Sequence, residues 1–209
     1  MKFVYIMLLI LTLTAVNGCN SNGADTNQPQ NGTLIEEHPF GLGIKGDGEF
    51  YRYKSLNDIG TYKTGPINVN LERVEVVRGS FNYDHSEVYS IAANETLDVI
   101  NFHIEFELNR KTDDFTFNQE HIHLLTDNGE EIKQPNELLS SVMHASVLKF
   151  PKDNSERNLR QFSFRMKEST AEEIEKATVI IDPPVNKNGE HLGEKIEIEV
   201  DFSKNQSEQ

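Results

Sequence analysis

The chain reads as an all-β sandwich, and three observations carry that reading. Apolar residues recur at every second position, the runs are short and bounded by turn-forming residues, and a helical pattern is confined to one brief segment. The clearest run is Leu97–Leu108, where Ile100, Phe102, Ile104, Phe106 and Leu108 fall on one side and Asn101, His103, Glu105 and Glu107 on the other. Successive side chains of a strand point to opposite faces, so this run predicts a strand with one buried and one solvated face.

In chain order, residues 49–54 predict a first short strand and residues 67–77 a second. In the second, apolar parity switches between Leu71 and Val74, and a one-residue bulge restores it. After 97–108, extended runs follow at 122–126 and 132–134, separated by Asp127-Asn128-Gly129, residues that tolerate positive φ. Phe162, Phe164 and Met166 make the apolar set of a strand at 160–166. Ser169 with Glu172 three positions on has the form of a capping box and predicts the one short helix, over 170–176. Strands at 177–181 and 195–202 complete the set, with Pro183-Pro184 ending the first and Asn188-Gly189 lying between them. Short antiparallel strands with one apolar face bury it best as two sheets over a shared core.

The N-terminal part has a different character. Lys2, the uncharged stretch from Phe3 to Val16 and the small residue Gly18 before Cys19 have the layout of a secretory signal peptide. The run Ala15-Val16-Asn17-Gly18-Cys19 resembles the lipobox of bacterial lipoproteins, although Asn17 and Val16 are not its commonest residues. The resemblance implies cleavage after residue 18 and lipidation of Cys19. The alternative is an uncleaved membrane span, but roughly 14 apolar residues fall short of the ~20 that spanning requires. Two or three acyl chains hold firmly at about 0.8 kcal/mol per buried methylene. Residues 20–37, rich in Asn, Gln, Gly and Ser, then read as a flexible tether of roughly 21–26 Å r.m.s. span. The expected organisation is signal peptide 1–18, lipidated cysteine with tether and lead-in 19–48, sandwich 49–203 and a disordered tail 204–209.

Composition narrows the function classes. The formal charge is -14, which repels phosphate backbones and argues against nucleic acid as a partner. Cys19 is the only cysteine, so no disulfide forms within the chain and the core must supply the stability.

Several features resemble an uncharacterised extracytoplasmic immunoglobulin-like domain family of Gram-positive lipoproteins, similar to a secreted mycobacterial immunoprotective antigen. They are the strand 67–77 after Gly65-Pro66, the long strand 97–108, the run His123-Leu124-Leu125-Thr126-Asp127-Asn128-Gly129-Glu130, and the sequence of strand, acidic helix and strand from 160 to 183. The resemblance spans roughly residues 60–203 and implies an immunoglobulin-like sandwich outside the cell. It implies no common activity, no cofactor and no site residues.

Four groups of residues are candidate sites. His121 and His123, two apart on one strand face, could share a metal with His103 as a third ligand, since neutral imidazole is a common zinc or copper ligand. No further ligand motif completes such a site, and solvated imidazoles are the simpler reading. The acidic runs Asp113-Asp114 and 127–131 lack the spacing of a calcium loop, so Asp127 and Asn128 read as turn formers. Ser140, Ser141 and His144 sit near acidic residues but in no nucleophile motif. The loop 79–93 carries Phe81, Tyr83 and Tyr89 among Asp84, His85 and Glu87, and loops at sandwich ends carry recognition. Its aromatics either face a partner, for which a cationic or carbohydrate ligand fits best, or fold back over the core.

The expected function is non-enzymatic: a binding or adaptor domain held at the membrane by lipid on Cys19, contacting an envelope protein or glycan, with no cofactor. The alternative is an envelope hydrolase or a metal-binding protein using the histidines. An enzyme would show a concave pocket with convergent titratable groups, and an adaptor a loop-rimmed patch.

Overall fold

The period-two runs pair as antiparallel strands. In a computed structural model the described residues are 32–35, 48–110, 114–140 and 158–205. The strands are β1 (Thr33–Leu34), β2 (Gly48–Thr64), β3 (Ile67–Phe81), β4 (Leu97–Leu108), β5 (Phe115–Thr116), β6 (Ile122–Thr126), β7 (Glu131–Ile132), β8 (Asn158–Met166), β9 (Lys176–Ile181), β10 (Val185–Asn186) and β11 (Ile196–Asp201), with one short helix, α1 (Ser86–Tyr89). One sheet has the order β1-β2-β3-β4-β8, the other β11-β9-β6-β7, and β10 pairs with β5 as a small ribbon.

The two sheets share one core, and this makes the protein an all-β sandwich. Val69, Leu71, Val74 and Val76 from β3, Ile100, Phe102, Ile104 and Phe106 from β4, and Phe162 and Phe164 from β8 meet Ile122 and Leu124, Val179 and Ile181, and Ile198 and Val200 from the second sheet. The bulge expected between Leu71 and Val74 is present: Leu71 pairs with Ile104 and Arg73 with His103, leaving Glu72 without an opposite residue. A second, smaller apolar cluster lies on the outer face of the first sheet, where Phe50, Val77, Phe81, Leu97 and Val99 are covered by Ile91, Leu138 and Leu139.

Several expectations are corrected. The first strand extends well beyond residue 54, to Thr64. Its register shifts between Arg52 and Lys54 and again between Asn57 and Gly60, where Asp58 takes φ 54°, and these irregularities hide the alternation. The β2–β3 hairpin turns at Gly65 (φ +54°), and a Cβ there would lie 2.5 Å from the Leu192 carbonyl oxygen. Within the stretch read as tether, Thr33 and Leu34 pair with Arg52 and Tyr51, and Ile35 packs on the smaller cluster. The polar side of β4 is solvated only in part: Glu107 is exposed, but Asn101 and Glu105 are buried.

No helix forms over 170–176. A single helical bond runs from Ile174 N to the Thr170 carbonyl, and residues 171–173 make a turn. Two N–H groups that such a helix would use, those of Glu175 and Lys176, are taken by the Asp127 carboxylate, and other carboxylates bind the N–H groups at and just before its first turn. Glu130 accepts from Lys167 N (2.7 Å), Glu168 N (3.2 Å) and Ser169 N (2.9 Å), Asp98 accepts from Ala171 N (2.8 Å), and Asp127 accepts from Glu175 N and Lys176 N (both 2.9 Å). The Ser169 hydroxyl caps nothing and donates to Glu130 Oε2. The acidic turn 127–130 is therefore a clamp joining the β6–β7 hairpin to the chain between β8 and β9, with Asn128 Oδ1 accepting from Glu130 N.

Candidate functional site

The loop after β3 is the best-defined surface feature, and it divides the three predicted aromatics. Phe81 turns inward, 5% exposed, with its ring edge-on to Phe50 (5.0 Å between centroids) and to His85 (5.2 Å). It belongs to the smaller core and cannot meet a partner. Tyr89 is half-buried against the same cluster. Tyr83 points outward and is 63% exposed.

Local hydrogen bonds account for the shape of the loop. Asp84 Oδ1 accepts from Ser86 N at 2.8 Å and starts α1, Tyr89 N donates to the His85 carbonyl, and Ser90 at φ 57° ends the turn. The loop is then pinned to the sheet. His85 N donates to the Ile91 carbonyl (2.9 Å) and Asn94 N to the Phe81 carbonyl (2.7 Å). Arg165 of β8 reaches over to donate to the Ser90 carbonyl (3.1 Å) and to pair with Glu95, which also accepts from Ala92 N. Anchored this way, α1 holds no buried residue, and Val88 is 75% exposed. An open pocket of about 280 Å³ is lined by Asp84, His85, Glu87, Val88 and Tyr89. The Ser86 hydroxyl and N–H hold the Asp84 carboxyl below its ordinary range.

The three histidines weighed as metal ligands are not brought together. His103 lies on β4 in the first sheet, with Nε2 3.3 Å from Glu75 Oε2 and 3.3 Å from Arg73 Nη2. His123 lies on β6 in the second sheet, its Nδ1 2.7 Å from the Lys133 carbonyl oxygen and its Nε2 2.8 Å from Asp182 Oδ2. His121 sits in a single 3₁₀ turn, residues 119–121, where its Nδ1 accepts from Asn118 N at 3.3 Å. Among the described residues no group of three or more His, Cys, Asp or Glu is placed to hold a metal ion.

His121 has a use in acid titration. Its ring packs on Phe117 (5.2 Å), and that burial holds the imidazole below its ordinary value of 6.5, outweighing the opposing pull of Asp182. A histidine depressed in the folded state protonates first in the unfolded chain, so stability is lost as pH falls from 6.5 toward the folded value. His121→Gln should therefore lose less stability than the parent between about pH 7 and pH 5, read by urea unfolding at both. Identical pH dependence in the two proteins would refute this assignment.

One charged cluster went unnoticed in the sequence. Glu75 is buried on the outer face of the first sheet, with Arg52 Nε at 2.6 Å, Arg73 Nε at 3.7 Å and His103 at 3.3 Å. Desolvation pushes its carboxyl up, but the His103 hydrogen bond and the charges of Arg73 and Arg52 together outweigh it and hold the group below its ordinary value. The available signal was a lone glutamate in the run Val74-Glu75-Val76-Val77, an acid with apolar neighbours on both sides. Arg52, Arg73 and His103 around Glu75 include no nucleophile. Ser140 is buried, its hydroxyl accepting from Ser163 N at 2.9 Å. Cys19, Asp113, Ser141 and His144 lie outside the described residues.

Fold and site together define a β-sandwich presenting one pinned, outward-facing loop. No protein-family model, curated protein or solved structure matches the chain.

Proposed function

We propose that this chain is an immunoglobulin-like, lipid-anchored extracytoplasmic domain that binds another component of the bacterial cell envelope without catalysing a reaction on it. One observation carries the reading. The 82–95 loop is tied to the sheet by Arg165 and by its own backbone, yet it presents Tyr83 and Val88 to solvent beside an open pocket. Ordering the loop in the free protein lowers the entropy that binding must cost, and exposed aromatic and aliphatic side chains supply the contact area. The lipobox-like run ending in Cys19 supports the location, since it is the single cysteine and follows a short apolar stretch.

Two measurements test the two halves of this reading. Cys19→Ala should leave the domain folded, abolish metabolic labelling with palmitate and release the protein from the membrane after signal cleavage; firm membrane retention without acylation would refute the anchor. For binding, crosslinking on intact cells should capture a partner with the parent protein, and Tyr83→Ala should reduce that capture by about tenfold, as expected for an exposed aromatic anchor. Capture unchanged in Tyr83→Ala would refute the loop as the contact. A point variant is the suitable probe, because deleting 81–89 would remove Phe81 from the core.

A further inference from the structure

We infer that the surface around α1 docks a basic segment of a partner protein, receiving a lysine or arginine side chain whose aliphatic stem lies along Val88 and Tyr89 and whose charged head meets Asp84 and Glu87. This rests on the reading of the loop as the binding surface and specifies what it binds. Three observations converge on a cationic occupant. No residue of α1 is buried, so the helix has a face without a covering element. Val88 and Tyr83 are the most exposed large apolar side chains among the described residues, and they sit within six positions of each other. Finally, the pocket beside them carries two carboxylates against one histidine, His85, and the chain from Gly79 to Leu97 contains no lysine or arginine.

The chemistry follows from that combination. A long cationic side chain presents an apolar stem and a charged tip, matching an aliphatic-aromatic wall rimmed by acids. Arg165, the cation nearest the loop in the hydrogen-bond pattern, is held by Glu95 and the Ser90 carbonyl and is not paired with Asp84 or Glu87. A second copy of the chain is a poor occupant, since each copy carries a formal charge of -14.

The test uses the full-length protein in detergent, titrated calorimetrically with a short peptide of alternating lysine and leucine. Saturable binding is expected, weakened about tenfold in the double variant Asp84→Asn, Glu87→Gln and within about twofold of the parent in Glu197→Gln, Glu199→Gln on the distant β11. Asparagine at 84 keeps the acceptor for Ser86 N, so the loop keeps its turn. Equal weakening by both double variants would mean diffuse attraction and would overturn the proposal. So would absent binding of the lysine peptide, equal affinity for a peptide with glutamate in place of lysine, or preference for glucosamine. The cell-surface capture experiment separates the two levels: capture lost in Tyr83→Ala but unaffected by Asp84→Asn, Glu87→Gln leaves the loop as the site and overturns only the cationic partner.

Discussion

Phe106→Ala is expected to lower the unfolding free energy by about 4 kcal/mol. The side chain is 1% exposed on the first sheet's inner face near the end of β4, with Phe117 at 5.4 Å and Phe162 at 5.9 Å, both edge-on. Truncation removes its transfer energy and those ring contacts, and the vacated space cannot close. β4 is laddered to β3 on one side and β8 on the other, so the backbone around the gap is held in place. In urea the midpoint should fall while the slope stays unchanged, and Phe106→Leu should cost only about 1 kcal/mol. A loss below about 1 kcal/mol for the alanine variant would show that this residue is not at the packing centre.

Glu130→Ala should cost about 3 kcal/mol for a different reason. The carboxylate is buried and accepts three consecutive backbone N–H groups, Lys167 to Ser169, together with the Ser169 hydroxyl. Removing it leaves the buried Ser169 N–H and the part-buried N–H groups of Lys167 and Glu168 without their acceptor, and an unmet buried donor costs more than the net value of the bond it made. Glu130→Gln should recover only part of the loss, because its amide can place one oxygen, not two, against donors that face both carboxylate oxygens. Amide hydrogen exchange at 167–169 should accelerate in both variants, and unaltered exchange there would refute the clamp.

The strands were legible where alternation is uninterrupted. Leu97–Leu108 and Ile122–Thr126 emerge with the boundaries the pattern predicts, because each residue's face is set by its own position in an extended chain. The bulge near Leu71 was legible for the same reason, as a break in parity. β2 was legible only in its first third, since register shifts at Arg52/Lys54 and Asn57/Gly60 scramble the period. The helix expected at 170–176 failed because local capping chemistry competes with carboxylates that the sequence places 37 and more positions away: Asp127 from the hairpin claims the N–H groups of Glu175 and Lys176, Asp98 from β4 that of Ala171, and Glu130 those of Lys167 to Ser169 just before it.

For the candidate site, the sequence placed the right loop but could not say which aromatics face outward. Phe81 and Tyr83 share strand parity, yet one is buried under Ile91 and the other exposed, because β3 ends between them. Val88, the most exposed large apolar side chain among the described residues, carries no sequence signal as a single aliphatic residue in a polar segment. His121 lies in a 3₁₀ turn and His123 on β6, so they are not two same-face residues of one strand as expected, and His103 belongs to the other sheet.

By itself, then, the sequence determined the all-β class, most strands, the parity break in β3 and the acidic, cysteine-poor character of the chain, all properties of single residues or short periods. Tertiary structure alone decided which carboxylates are buried, which histidines are neighbours and which side of the 82–95 loop meets solvent. Those outcomes depend on contacts between residues remote in sequence, where a charge or an N–H finds its partner across the fold and not along the chain.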